Sequence, residues 1–422
     1  MQIFTFENPI PIYASPTTRR PTAGTLQVFP FEQLVSEAPG TPYFYALAYR
    51  NTSGLIPRLR YVVTPASLAT VNGRYYSSAK VFGNYFENPI FPRQGIGVVN
   101  SLFTEAALEI GLPAPRQITE YLTAGPGIQW TAFYFLLNHK GLGGQFDVWR
   151  AIPAKRVIQN WNAYPLHEGY NYDLVGTSNQ SPWVPSASRE GDKLTLDLNP
   201  YSDSVPGHTG VGGEPLNGGT YQIDENGKQI AAGNTRSRHG MFGEFGTHVT
   251  LSPRPGAVRF ALSVALTGPR APKLSAVDQT VWSWRSARQP GVTLPVGWTC
   301  LPTGRGIAHP VRSCGAEPMM TLGYGVAGLG LNGSAPPGRQ VLHLTVGHIQ
   351  LAKAAAVTKA SVSVSFDGGK TWHPAQVSGH AGHYTAVFTA QAGALVTLRT
   401  HATDAAGGSV TETITSAYQV AS

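Results

Sequence analysis

The chain has 422 residues, enough for about two to four domains with sizeable cores. Only 13% of its residues are charged, while glycine (48) and proline (33) abound. Low charge with many turn formers and aromatics excludes a charged helical enzyme and points to an extracellular all-β protein. The net charge of +8 comes mainly from scattered arginines, with no basic run beyond Arg19-Arg20. Nucleic-acid binding is therefore unsupported, and weak attraction to anionic cell-wall polymers is the milder reading. No apolar run approaches the ~20 residues of a membrane span. The N-terminus MQIFTFENPIPIYASP lacks a basic n-region and a continuous apolar core, so it does not read as a signal peptide. A secreted composition without such a signal suggests a processed piece of something larger.

Residues 1–40 read as a lead-in with strands at Gln2–Phe6 and Thr25–Phe31 around a Pro/Thr/Arg loop. The first domain, residues 1–153, continues with the aromatic strand Tyr43–Tyr49, then Tyr61–Thr64, Leu68–Val71 and Arg74–Tyr76. No conformation is assigned to residues 77–115. Leu102–Ile110 (LFTEAALEI) is the nearest thing to a helix in the chain, one or two turns long. Strands follow at Arg116–Leu122 and Trp130–Leu137. The second domain, residues 154–290, carries Arg189–Leu198 and a hairpin closed by Asn226-Gly227. Alternating strands follow at Arg259–Thr267 and Thr280–Ser286. Pro290–Thr299 reads as a linker into the third domain, residues 291–422.

That last domain opens with CLPTGRGIAHPVRSC, in which Cys300 and Cys314 bound a Pro/Gly-rich loop. A disulfide is the expected state; two free buried thiols are the alternative. His309 between them raises metal binding, but two cysteines and one histidine make poor zinc spacing. From Ser361 onward the pattern is clearest. Val362, Val364 and Phe366 alternate with serines, Asp367-Gly368-Gly369-Lys370 forms a turn, and Trp372 opens a return strand expected to close over the core. With strands up to Thr415 this makes about seven, a complete sandwich of immunoglobulin or fibronectin type III kind. The fold expected is all-β, with tandem β-sandwich domains.

Several stretches resemble one family. S-V-S-F-D-G-G-K-T-W (Ser363–Trp372) and L-R-T-H-A-T-D-A-A-G-G (Leu398–Gly408) resemble the C-terminal module of large secreted subtilisin-like (S8) serine peptidases of actinobacteria. Further segments are similar to that family in the same order: Leu68–Tyr76 (LATVNGRYY), Pro115–Gly125 (PRQITEYLTAG) with Trp130, Asn160–Pro165 (NWNAYP) and Thr280–Ser286 (TVWSWRS). In the last, Trp284 replaces the usual phenylalanine. The resemblance implies the non-catalytic region downstream of a peptidase's catalytic domain, acting in stability, substrate access or surface retention. Its partners would be that upstream domain or a protein substrate, and its location extracellular.

The chemistry of a subtilisin needs Asp, His and Ser, each in its own frame. Phe245-Gly246-Thr247-His248-Val249 echoes H-G-T-H-V, but Phe245 stands where the base belongs, leaving His248 as an outward strand residue. Asn332-Gly333-Ser334-Ala335-Pro336 echoes the serine frame without its threonine, so Ser334 reads as a turn residue. The subtilisin triad is thus read as absent, and no cofactor is expected. Asp197, Asp203 and Asp224 lie near loops of one domain and are the candidates should calcium bind, against a reading as solvated turn carboxylates. Among the aromatics, Trp183, Trp282, Trp284 and Trp372 are candidate surface-binding residues, for sugar stacking, against core packing. Rival functions are a free-standing carbohydrate- or cell-wall-binding protein and a self-assembling surface protein pairing through residues 1–40.

Overall fold

A computed structural model describes residues 2–6, 31–37, 43–50, 59–63, 68–90, 108–111, 113–124, 129–137, 144–150, 155–169, 173–174, 183–205, 207–211, 218–235, 245–266, 272–295, 298–300 and 312–422. Among these residues the regular elements are β-strands, without an α-helix, arranged as several packed, mainly antiparallel sheets. The all-β expectation holds.

The N-terminal sandwich is built from two five-stranded sheets. One runs Arg156–Trp161, Leu68–Tyr75, Arg116–Thr123, Tyr43–Arg50, Phe31–Glu37; the other His208–Val211, Gly144–Arg150, Gln129–Leu137, Phe82–Ile90, Leu108–Gly111. Leu68–Tyr75 alternates buried and half-buried residues against Arg116–Thr123, and Val71, Tyr75, Ile118 and Leu122 meet Trp130, Tyr134 and Trp161 in a core. Period-2 patterning puts the apolar set on one face, and that face is what the second sheet covers. The lead-in strands pair within the chain: Gln2–Phe6 with Leu59–Val63, and Phe31–Glu37 with Tyr43–Arg50. The strand expected at Thr25–Phe31 lies outside the described residues except for Phe31. Of the expected helical stretch, Leu108–Ile110 instead belongs to a strand paired with Phe82–Ile90.

The expected boundaries at 153/154 and 290/291 do not separate independent cores. Arg156–Trp161 lies parallel to Leu68–Tyr75 in the first sandwich. Val277–Ser286 pairs with Ser409–Val420, from Val277 opposite Thr415 to Ser283 opposite Ser409. This joins strands from both sides of residue 290 into one nine-stranded sheet. Its inner face shares a single core with the four-stranded sheet Met320–Val326, Gly338–His348, His383–Ala390, Gln376–His380.

Turn chemistry follows the sequence. Asn226 and Gly227 both adopt positive φ, as the tight Asn-Gly hairpin requires. Asp367 accepts from the backbone N–H groups of Lys370 and Thr371 at 3.0 and 2.9 Å and from Thr371 Oγ1 at 2.7 Å. These bonds hold its carboxyl well below the usual range. Trp372 does not close over the core. It is half-buried, donates Nε1–H to Gly369 O at 2.9 Å, and carries the Arg399 guanidinium 3.8 Å above its ring.

Cys300 and Cys314 form the expected disulfide, with Cα atoms 6.1 Å apart and a small core of Leu294 and Trp298 around it. Closing a loop of this length restricts the unfolded chain by about 3 kcal/mol. Replacing both cysteines by serine should lower the unfolding free energy by about that amount in a denaturant titration. An unchanged midpoint would show that the bridge constrains nothing.

Candidate functional site

The tryptophans proposed for the surface resolve differently. Trp282 and Trp284 share a strand face, as the period predicts, but that face is the core. Trp282 is fully buried, stacks on Phe260 at 5.0 Å and donates Nε1–H to Met320 O at 3.1 Å. Trp284 is 3% exposed and donates to Glu317 Oε2 at 2.6 Å. Neither can stack on a ligand, because the C-terminal sheet covers the face they occupy. Trp183 begins a two-residue strand paired with Asp173–Leu174, and its side chain lies outside the described residues. Trp372 keeps one ring face under Arg399.

The three aspartates do not assemble into a calcium cage. Asp203 is buried against His208 Nδ1 at 3.0 Å, and Asp224 pairs with Arg259 at 3.2 Å. Asp197 is buried within the strand Lys193–Ser202. Among the described residues no group of three His, Cys, Asp or Glu side chains is placed to hold a metal. His248 is an exposed strand residue and Phe245 sits in the core beside Phe260. Ser334 is not a turn residue: it opens the short strand Ser334–Ala335, paired in parallel with Gln419–Val420, just after a turn in which its N–H donates to Asn332 Oδ1.

The functional candidate lies elsewhere, in a cleft of about 470 Å³ where the four-stranded sheet meets the turn after Lys193–Ser202. Gly323 and Gly325 floor it opposite Thr345 and His343. A Cβ added at Gly323 would stand 3.9 Å from Ser204 Oγ, so the floor beside that hydroxyl is open by one methyl. No lysine, arginine or glutamate lines the cleft among the described residues, and its one aspartate, Asp203, is held by His208.

On the far wall, His167 lies opposite Ser202 in the strand pairing, which places its ring beside Ser204 two residues on. His167 Nε2 and Ser204 Oγ are 2.7 Å apart. Ser204 Oγ also accepts the Tyr324 backbone N–H at 2.7 Å. With the imidazole proton on Nδ1, Nε2 is the acceptor and the serine hydroxyl donates to it. The other ring nitrogen, Nδ1, stands 3.7 Å from Glu412 Oε1.

Behind this wall is a buried cluster of carboxyls. Glu412 and Thr280 are cross-strand partners, and Asp278 shares their inward parity. Tyr324 Oη donates to Glu412 Oε2 at 2.6 Å, and Thr280 Oγ1 lies 3.2 Å from Asp278 Oδ1 and 3.3 Å from Glu412 Oε1. The Glu168 backbone N–H donates to Asp278 Oδ2 at 2.8 Å. The Glu168 carboxyl itself is buried without a hydrogen-bond partner. Burial, then the neighbouring Glu412 carboxylate, pushes both Glu168 and Asp278 well above the carboxylate range. Burial and those same carboxyls raise Tyr201 too.

Sequence reading missed every member of this site except Asp203. Its signal was the charged residues at inward positions of alternating strands, Asp278 beside Thr280 and Trp282, and Glu412 between Val410 and Ile414.

A search of protein-family profiles returns no match to the chain, and no curated protein matches it.

The raised acids set a direction for stability. In the native state Glu168 and Asp278 hold their protons to higher pH than in the unfolded chain, where they release them near pH 4. Their contribution is therefore fully present below about pH 4 and is lost as pH rises through the folded values. Denaturant unfolding of the wild type across about pH 4 to 8 should show stability falling with pH from this source. The Glu168→Gln, Asp278→Asn double variant should flatten that fall. An identical slope in both proteins would contradict the assignment.

Proposed function

We propose that the chain is an accessory region of a secreted subtilisin-like serine peptidase, serving stability, substrate access or surface retention. Peptide-bond cleavage would belong to an upstream catalytic domain, the partner this reading implies. The observation that carries it is where the resembling segments fall. Leu68–Tyr76 and Pro115–Gly125 supply neighbouring strands of the first sandwich, with Tyr75, Ile118 and Leu122 in its core. Thr280–Ser286 supplies the central strand of the nine-stranded sheet, and Ser363–Trp372 a turn closed around Asp367. The shared residues are thus framework, while the two echoes of catalytic frames hold a core phenylalanine and a serine in a short edge strand.

A second reading, a glycan-binding protein, is favoured by the hydroxyl- and imidazole-lined cleft, whose one carboxylate, Asp203, is held by His208, a lining that suits a neutral polar ligand. Intact mass and N-terminal sequencing of the protein from its native source separate the two. A precursor with a catalytic domain ahead of Met1 is the expected result. A mature protein that starts at Met1 and is retained on insoluble cell-wall glycan would replace the accessory reading with the second.

A further inference from the structure

We propose that Ser204, His167 and Glu412 form a nucleophilic relay opening on the cleft, which gives the chain a carboxylic-ester hydrolase activity of its own. This goes beyond the accessory reading and stands or falls separately from it, since it uses none of the subtilisin-like frames.

Three of the parts an acyl-transfer site uses are a nucleophile hydrogen-bonded to a base, an acid behind the base, and room for substrate at the nucleophile. Ser204 Oγ is 2.7 Å from His167 Nε2, and the Tyr324 N–H holds the hydroxyl oxygen from a second side. His167 is 2% exposed and Glu412 fully buried, so both are held by packing. The 3.7 Å from Nδ1 to Glu412 Oε1 is longer than a hydrogen bond. Such contacts are commonly long in unliganded sites and tighten when substrate binds. Glu412 is fixed in turn by Tyr324 Oη, whose backbone bonds Ser204, so one residue braces both ends of the relay. His167 and Ser204 both line the cleft, and Gly323 leaves the flank of Ser204 open.

In the reaction, Ser204 Oγ attacks the ester carbonyl carbon while its proton passes to His167 Nε2. The tetrahedral intermediate collapses with cleavage of the carbonyl carbon–alkoxy bond, and His167 returns the proton to the leaving alcohol. Water, deprotonated by His167, then attacks the acyl-serine, releasing the acid and restoring Ser204. Among the described residues the lining holds no Lys, Arg or Glu, and its one carboxylate, Asp203, is held by His208, so the cleft favours uncharged esters. Glu412 is a positioning residue that acts through His167.

The test is labelling of the purified chain with a small alkyl fluorophosphonate, in which the Oγ–P bond forms and fluoride leaves. Peptide mapping locates the adduct. The expected result is one adduct on Ser204, formed about 100-fold more slowly in His167→Gln, with hydrolysis of p-nitrophenyl acetate lost in parallel. Glu412→Gln should also slow labelling at unchanged near-UV circular dichroism, and Glu412→Asp should restore part of the rate. Gly323→Val, which keeps the relay but fills the floor beside Ser204, should block labelling by a bulky fluorophosphonate more than by a small one. No adduct on Ser204 in the folded wild type, or equal labelling rates in wild type and His167→Gln, would overturn the proposal.

Discussion

The strand Val277–Ser286 pairs with Gly256–Ala265 on one side and Ser409–Val420 on the other, and most of the molecule beyond the first sandwich is arranged by that double pairing. Its inward residues run from polar to apolar: Asp278, Thr280, Trp282, Trp284. The two indoles bury large apolar areas and still satisfy their N–H groups across the core, on Met320 O and Glu317. That cross-layer bonding fixes the facing strand Met320–Val326, and with it the cleft floor at Gly323 and Gly325. An aromatic without a partner for its nitrogen would carry a desolvation cost of about 1–3 kcal/mol there.

The polar end of the same strand has the opposite energetics. Burying ionised carboxyls is costly unless they are paired, and apolar replacements of similar volume are often neutral or stabilising. Here Glu168, Asp278 and Glu412 sit together in the seam, and Glu168 and Asp278 are pushed toward their neutral forms. The cluster touches the cleft through His167 and Tyr324 alone among the bonds described, so the unusual chemistry and the open surface are neighbours.

Much was legible in the residues themselves. Period-2 alternation at Arg259–Thr267 and Ser361–Phe366 marked strands, and Asn226-Gly227 and Asp367–Lys370 marked turns, because side-chain direction and φ are local properties; the alternation misplaced only its last member, Phe366, which is exposed. The disulfide partners followed from there being only two cysteines. What faced each apolar stripe was not local. Trp282 and Trp284 read first as core packing, with a ligand platform as the rival that only the covering second sheet removed, and Trp372 read as a core lid until Arg399 took its ring.

The sequence by itself thus determined that this chain is all-β, where many of its strands and turns fall, and that the subtilisin-like frames in it are incomplete. Tertiary structure alone decided that strands on either side of residue 290 form one sheet, and that His167, Ser204 and Glu412 meet. The physical reason is separation along the chain. His167 and Glu412 lie 245 positions apart on strands that share no local pattern, and only the pairing registers Thr280–Glu412 and His167–Ser202 bring them to one wall.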